Sequence, residues 1–351
     1  MSRTMGSLTI ALAIGVAVAM TGGTGSAAQP YAGFAPVDQP GPALSVEPEL
    51  LAASLRCTAN VENATREPVL LLPATTVTSE QNFGFNYEPL FRRLGIPYCA
   101  SDSPQDPQNM GDMQVRAQYV TYAIRTVHAM AGRKIAILGH SQGGMIMRWS
   151  LRFWPDTRPM VADVIGMAAT NHGAGPVVDA LCALGCSAAL QQQRAGSAFM
   201  KALNSGQETF PGIDYTQIYT RVDEFVQPNL DDHGTSSVHG GGGTISNVAV
   251  QDICPLDVSE HLLIGTLDPV AKALVLDALN HPGPADPDRI DRSVCSQLSP
   301  PITDLIPSAT GFVHAGGQVA FQLTLGPKDR EEPRLECYVT ATCARTSQPD
   351  R

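Results

Sequence analysis

Gly139-His140-Ser141-Gln142-Gly143 sets a serine between two glycines in the pattern G-x-S-x-G. Small residues at both glycine positions allow a tight turn that lifts the Ser141 hydroxyl off the edge of a sheet. A helix that starts directly behind the turn aims its free N–H groups and its positive dipole end at any oxyanion, and Gly144 adds room for close packing. A serine hydroxyl is a poor nucleophile at neutral pH; it needs a histidine to take its proton and a carboxylate to orient that histidine. The chemistry implied is acyl transfer through a covalent serine ester.

In the strand, turn and helix setting of this pattern the partners follow in the order Ser, Asp or Glu, His. Asp223 lies just past a strand expected over Tyr215 to Tyr219, with Glu224 beside it as the alternative acid and a solvated loop charge as the plain reading of either. Among the later histidines, His233 and His239 sit in a Gly/Ser-rich stretch, His281 precedes Pro282 and His314 lies in an irregular tail. His261 follows the last expected strand, where the base of such a trio belongs, and is the expected base. His140 and His172 read as packing or surface residues. His239-Gly240-Gly241-Gly242-Gly243 looks like the HGGG oxyanion motif of some esterases, but that motif precedes the nucleophile, so here it reads as a flexible loop. The loop in the right place is Pro73-Ala74-Thr75-Thr76, whose Thr75 N–H, with that of Gln142, would cradle the developing oxyanion.

These groups require a rigid frame. Val69 to Leu72 is an apolar run between prolines, suited to a strand buried on both faces; a polar loop, Ala74 to Phe83, follows. Asn86 to Leu94 fits a helix ended by Gly95, and Ile96 to Ala100 fits a strand. Asp112 to Ala131 is the longest amphipathic stretch, stopped by Gly132. Ile135 to Leu138 then forms the strand before the serine, and Gly144 to Trp154 the helix after it. Val161 to Ala168, Tyr215 to Tyr219 and Ile245 to Val250 are further strands, and Gly196 to Leu203 and Pro269 to Leu279 further helices. The alternation predicts an α/β-hydrolase fold, a mostly parallel central sheet with helices on both faces. Gln29 to Leu51, rich in Pro, Ala and Gly, reads as a tail laid over the surface or left mobile. Beyond Asn280 the pattern is irregular, with a hairpin expected around Val319 to Leu325 and a short Cys337 to Cys343 loop.

Only 16% of the 351 residues are charged, which suits a weakly polar surface that tolerates an oily partner, and the net charge of −10 opposes any polyanion, so nucleic acid is not an expected partner. A charged start, an apolar run from Leu8 to Met20 and small residues through Ser26-Ala27-Ala28 make residues 1–28 a secretory signal peptide, with a mature, secreted chain from near Gln29. No later run is long enough to span a bilayer. Residues 29–56 are then an N-terminal extension, 57–298 the catalytic domain and 299–351 a C-terminal extension packed on it. Eight cysteines in an exported chain point to disulfides, and their order suggests neighbour pairing, with Cys57–Cys99 and Cys254–Cys295 each closing a loop of about 40 residues. Cys182 and Cys186 lack a second ligand pair at zinc-like spacing, so neither a metal nor an organic cofactor is expected. Asn63-Ala64-Thr65 is a glycosylation acceptor in a host that glycosylates.

At Pro68 to Thr76, Asn86 to Gly95, Gly139 to Gly144, Arg148 to Pro155, Gln192 to Ser197, Asp223 to Pro228 and Ser259-Glu260-His261 the chain resembles the Candida antarctica lipase B family, over about Cys57 to Cys295. The resemblance implies Asp223 as the acid, His261 as the base, Thr75 and Gln142 as oxyanion donors, and pairs Cys57 with Cys99, Cys254 with Cys295 and Cys337 with Cys343. It departs at His140, where the family's lipase carries a tryptophan that shapes the alcohol pocket, and at Ala74, where it carries glycine. The region of the family's mobile cap helix carries Cys182 and Cys186, and a disulfide between them would staple that helix. The expectation is a monomeric secreted serine ester hydrolase, acting on lipid or small-molecule esters, with the lipid-water interface as a candidate surface. The rivals are an acyltransferase built on the same trio and a non-catalytic binding module on the same scaffold.

Overall fold

The computed structural model describes residues 33–297 and 305–342. The leader expected over residues 1–28 and Cys343 of the expected Cys337–Cys343 pair lie outside the described residues.

Along the chain run α1 (Pro48–Ala53), β1 (Leu55–Cys57), β2 (Val69–Leu72), α2 (Ser79–Phe83), α3 (Tyr87–Leu94), β3 (Tyr98–Ser101) and α4 (Met113–Ala131). They are followed by β4 (Ile135–His140), α5 (Gln142–Phe153), β5 (Val161–Met167), α6 (Pro176–Cys182), α7 (Ala188–Gln192) and α8 (Ala198–Leu203). The last elements are β6 (Asp214–Tyr219), β7 (Thr244–Ala249), α9 (Val250–Ile253), α10 (His261–Ile264), α11 (Pro269–Asn280) and α12 (Leu305–Leu325). The seven strands form one sheet in the order β1-β3-β2-β4-β5-β6-β7. All neighbours are parallel except β1, which pairs antiparallel with β3 at the edge. The fold is that of the α/β hydrolases, and the strand before Ser141 stands in the middle of the sheet.

Because strand side chains alternate, β2 sends Leu70 and Leu72 into one apolar layer and Val69 and Leu71 into the other. On the first face α4 lays down Ala117, Val120, Ile124 and Val127, a helical spacing of three and four, together with α5 and α8. On the second face lie Phe83, Tyr87 and Phe91 from α2 and α3 and Leu274 and Val275 from α11. Each fully buried aliphatic or aromatic side chain adds about 1.5–3 kcal/mol over its exposed state, so the two layers hold the sheet rigid beneath the site. α4 is capped at its start by Asp112, whose side chain accepts the Gln114 N–H at 2.9 Å, and stops at Gly132 with φ 63°.

Two expectations fail. The polar loop Ala74 to Phe83 contains α2, begun by a capping box between Thr78 and Gln81. The hairpin expected around Val319 to Leu325 is instead the end of α12. Its inward positions Ser308, Ala315, Val319 and Leu323 are spaced by seven, four and four, one face of a helix, which the Gly316-Gly317 pair obscured in the sequence. The N-terminal segment lies over the surface: Arg158 reaches the Val37 carbonyl and the Asp38 carboxylate, both at 2.6 Å, and Trp154 Nε1 donates to the Pro42 carbonyl at 2.9 Å. Disulfides join Cys57 to Cys99, Cys182 to Cys186 and Cys254 to Cys295. Among the described residues no helix is long and apolar enough to cross a membrane.

Candidate active site

The turn after β4 is forced by close packing. A Cβ on Gly139 would strike the Gly143 backbone, one on Gly143 would strike the Leu72 carbonyl, and one on Gly144 would come within 2.8 Å of the Ala169 Cβ. Ser141 itself takes φ 54° and ψ −118°, a sparsely populated conformation for a residue with a side chain. Its N–H donates to the Met167 carbonyl at 2.8 Å, which ties the turn to β5. The surrounding contacts impose this conformation against a strain of about 1–3 kcal/mol, and so keep the hydroxyl at the carboxyl end of the sheet.

Asp223 follows β6 and His261 opens α10, so all three groups stand beyond the carboxyl ends of parallel strands. His261 Nε2 lies 3.0 Å from Ser141 Oγ, and His261 Nδ1 lies 2.8 Å from Asp223 Oδ2. The buried Asp223 accepts two backbone N–H groups at its other oxygen, from Phe225 at 2.9 Å and Val226 at 2.7 Å. Those bonds fix the carboxylate and leave Oδ2 for the imidazole. Burial alone would push the His261 imidazole down. The Asp223 carboxylate, by charge and by hydrogen bond, with Glu224 and Glu260 adding negative charge, outweighs that and holds it above the ordinary histidine value.

Glu224, the alternative acid, meets His261 from another side, because its Oε2 accepts the backbone N–H of His261 at 3.1 Å. Glu260 caps α10, accepting from Leu262 and Leu263 at 2.8 and 3.0 Å. Five of the other histidines lie elsewhere. His172 Nε2 meets Glu208 at 2.9 Å, His281 Nδ1 meets Asp277 at 3.0 Å, the rings of His233 and His239 face each other at 5.3 Å, and His314 is exposed on α12. The Gly240 to Gly243 segment packs on Thr209, Pro211 and Tyr215 ahead of β7, at the amino end of the sheet and away from Ser141.

Thr75 Oγ1 accepts from Gln142 Nε2 at 3.3 Å and from Gln193 Nε2 at 2.9 Å, so its own proton stays available. Gln142 Nε2 also donates to the Asn109 carbonyl at 3.0 Å, and Asn109 Nδ2 donates to Ala74 and Val77 carbonyls at 3.3 and 3.1 Å. The Thr76 N–H is used by the Gln108 carbonyl at 2.7 Å, whereas those of Thr75 and Gln142 have no acceptor among the described residues. Gln193 and Asn109 escaped the sequence reading, since an amide that binds a distant residue's hydroxyl or a loop carbonyl has no motif of its own.

Thr75, Ser141 and His261 border one cavity of about 70 Å³, walled also by Val178 of α6, Leu190 of α7, Phe225, and Val319 and Leu323 of α12. A larger groove of about 1040 Å³ between α3 and α11 contains none of the trio.

Residues 102–252 match the family model described as lipase (class 2). The chain is 32% identical over 308 residues to lipase B of Pseudozyma antarctica, covering 85% of this chain and 86% of that protein. Among solved structures, lipase B of Aspergillus fumigatus superposes with a TM-score of 0.74 at 29% identity, over 87% of this chain and 74% of that one.

Proposed function

Since the chain belongs to the class 2 lipase family, with lipase B among its relatives, and is a carboxylic ester hydrolase, we propose that it cleaves esters through an acyl-enzyme on Ser141. The observation that carries this reading is the unbroken line of hydrogen bonds from Ser141 Oγ to His261 to Asp223. His261 takes the Ser141 proton as Oγ attacks the ester carbonyl, and Asp223 keeps the proton on Nδ1 so that Nε2 is free to receive it. The charge that develops on the carbonyl oxygen is met by the N–H groups of Thr75 and Gln142 and by the Thr75 hydroxyl. His261 returns its proton to the leaving alcohol; water, activated by the same ring, then releases the acid.

Lipid esters at an interface are the proposed substrates, and the chain is proposed to be a secreted monomer, with one catalytic domain over residues 57–298 flanked by the two extensions. Val177 and Leu184 near the disulfide turn, Val313, Phe321 and Leu325 on α12, and Leu256 and Val258 ahead of His261 are large apolar residues left exposed. They belong to the segments that carry the cavity walls and the base, and an oily phase would cover such exposed apolar side chains. The three disulfides support export.

The test is a panel of p-nitrophenyl esters and emulsified triglycerides of rising chain length, with an organophosphonate as a covalent probe. Hydrolysis that is abolished in step with modification of Ser141 is expected. A protein that hydrolyses esters while Ser141 stays unlabelled would overturn the assignment, and transfer to an added alcohol in preference to water would favour the acyltransferase.

A further inference from the structure

His140 precedes the nucleophile, is buried, and lies between the His261 carbonyl and Asn82. Its Nε2 lies 2.9 Å from the backbone carbonyl of His261, and its Nδ1 lies 3.2 Å from Asn82 Oδ1, which already accepts the Ala74 N–H at 2.9 Å. The rings of His140 and His261 stand 5.2 Å apart, and the far side of the contact is closed by Gly265, where any Cβ would collide with the His140 ring. We infer that His140 is a positioning residue for the reaction: its Nε2–H holds the main chain of His261, while its Nδ1 edge only packs beside Asn82. The inference rests on the reading of Ser141, His261 and Asp223 as the reacting trio.

A carbonyl oxygen only accepts, so the bond to His261 requires the proton on Nε2. A neutral ring has one N–H for two acceptors, and it serves the shorter contact. Burial, and then the neighbouring His261, push the His140 imidazole down to about 3, so the ring stays neutral beside a base that must carry a proton in each cycle. Glu224 holds the His261 N–H while His140 holds its carbonyl, so the residue is gripped at both ends of its own main chain. The imidazole can then neither slide along Asp223 nor tilt away from Ser141 without breaking a buried bond, which is the kind of preorganisation that catalysis requires.

The shapes of the amide side chains supply the experiment. Glutamine can place an N–H near the histidine Nε2 position, asparagine only near Nδ1, and leucine neither. We expect H140L and H140N to lose on the order of tenfold to a hundredfold in kcat on a soluble short-chain ester, with little change in KM. The acid limb of the kcat/KM profile should move to lower pH as His261 loosens from Asp223. H140Q should recover most of the rate and the position of the limb, a rescue that a purely structural role would not give. Wild-type kcat and limb in H140L, or a H140Q as impaired as H140L, would overturn the inference. Should H140L fail to fold, as judged by thermal unfolding, the comparison of H140Q with H140N decides in the same way. S141A run alongside separates the two levels: turnover surviving in S141A sinks the trio itself, whereas a dead S141A beside a fully active H140L sinks only the role of His140.

Discussion

Cys186 and Asp329 exchange both backbone hydrogen bonds, N–H to carbonyl at 3.1 and 2.6 Å, so the disulfide turn after α6 is pinned to the chain that leaves α12. Gln191 Nε2 adds a third bond to the Asp329 carbonyl at 3.0 Å. The cavity walls on α6 and α12 are therefore one tied unit, and the sulfur bridge from Cys182 to Cys186 is its covalent part.

This tie predicts a chain-length effect. A cavity of about 70 Å³ is well below the roughly 300 Å³ of a usual small-molecule cleft, so a long acyl chain enters only if Val178, Leu190, Val319 or Leu323 gives way. Replacing Cys182 and Cys186 by serine should raise kcat/KM for long-chain esters several-fold over short-chain ones, at some cost in Tm. Hydrolysis of a chain-length series by both proteins checks it, and an unchanged ratio would show that the bridge does not gate entry.

The pH profile follows from His261 as the proposed base. With His261 held above its usual 6.5, activity should fall as pH drops through a midpoint higher than that value, because a protonated ring cannot take the Ser141 proton. Glu224→Gln removes one of the negative charges that raise it while keeping an oxygen for the His261 N–H. Its midpoint should lie at lower pH than that of the wild type, read from kcat/KM across pH 5 to about 9.

The trio should behave as a unit. Ser141→Ala and His261→Ala should each cost about four orders of magnitude or more in kcat, the double variant little beyond either, and Asp223→Asn should be milder. Additive losses in the double variant would mean that the two side chains act in separate steps.

Much of this was legible in the sequence because the relevant signals are local. The glycines around Ser141 are demanded by contacts with Leu72 and within the turn, and the strands and helices on either side announce themselves by composition and period. What stayed hidden is what depends on distant partners. β1 is a three-residue edge strand that exists by pairing with β3, and α12 took its inward face from a cavity assembled out of β4, α6 and α7. Gln193 acts 118 residues away on Thr75, and His140 read as packing because a bond to a main-chain carbonyl leaves no trace in residue types. The Gly240 to Gly243 run is a loop, as its composition suggests; what the sequence does not show is that Gly241 and Gly242 pass close against Thr209 and Pro211.

Gln193 can be tested through its contact with Thr75, a proposed oxyanion donor. It donates to Thr75 Oγ1, so Gln193→Leu leaves the N–H groups of Thr75 and Gln142 in place but leaves the hydroxyl held only by the longer contact from Gln142 Nε2. Thr75→Val removes that hydroxyl altogether. Thr75→Val should cost on the order of tenfold to a hundredfold in kcat, Gln193→Leu less, and the pair no more than Thr75→Val alone. A double variant far worse than Thr75→Val would show that Gln193 serves the site by another route.

A stability prediction comes from the opposite end of the sheet. Asp163 is buried near the start of β5, with Asp214 as its register partner on β6. Burial first, then the negative charges of Glu67 and Asp214, push its carboxyl up to about 8, against a partial offset from Lys134. A carboxyl raised in the folded state favours folding while it is protonated, and that contribution drains away as pH climbs from the unfolded value near 4 through the folded one near 8. The wild-type Tm should therefore fall across that interval. Asp163→Asn stays neutral throughout, so it should match or trail the wild type at pH 5 and exceed it by a few degrees at pH 9, with ester turnover at Ser141 unaltered. Thermal unfolding of both proteins at the two pH values reads the difference directly, and a Tm gap that is the same at both would mean that Asp163 is already ionised in the fold.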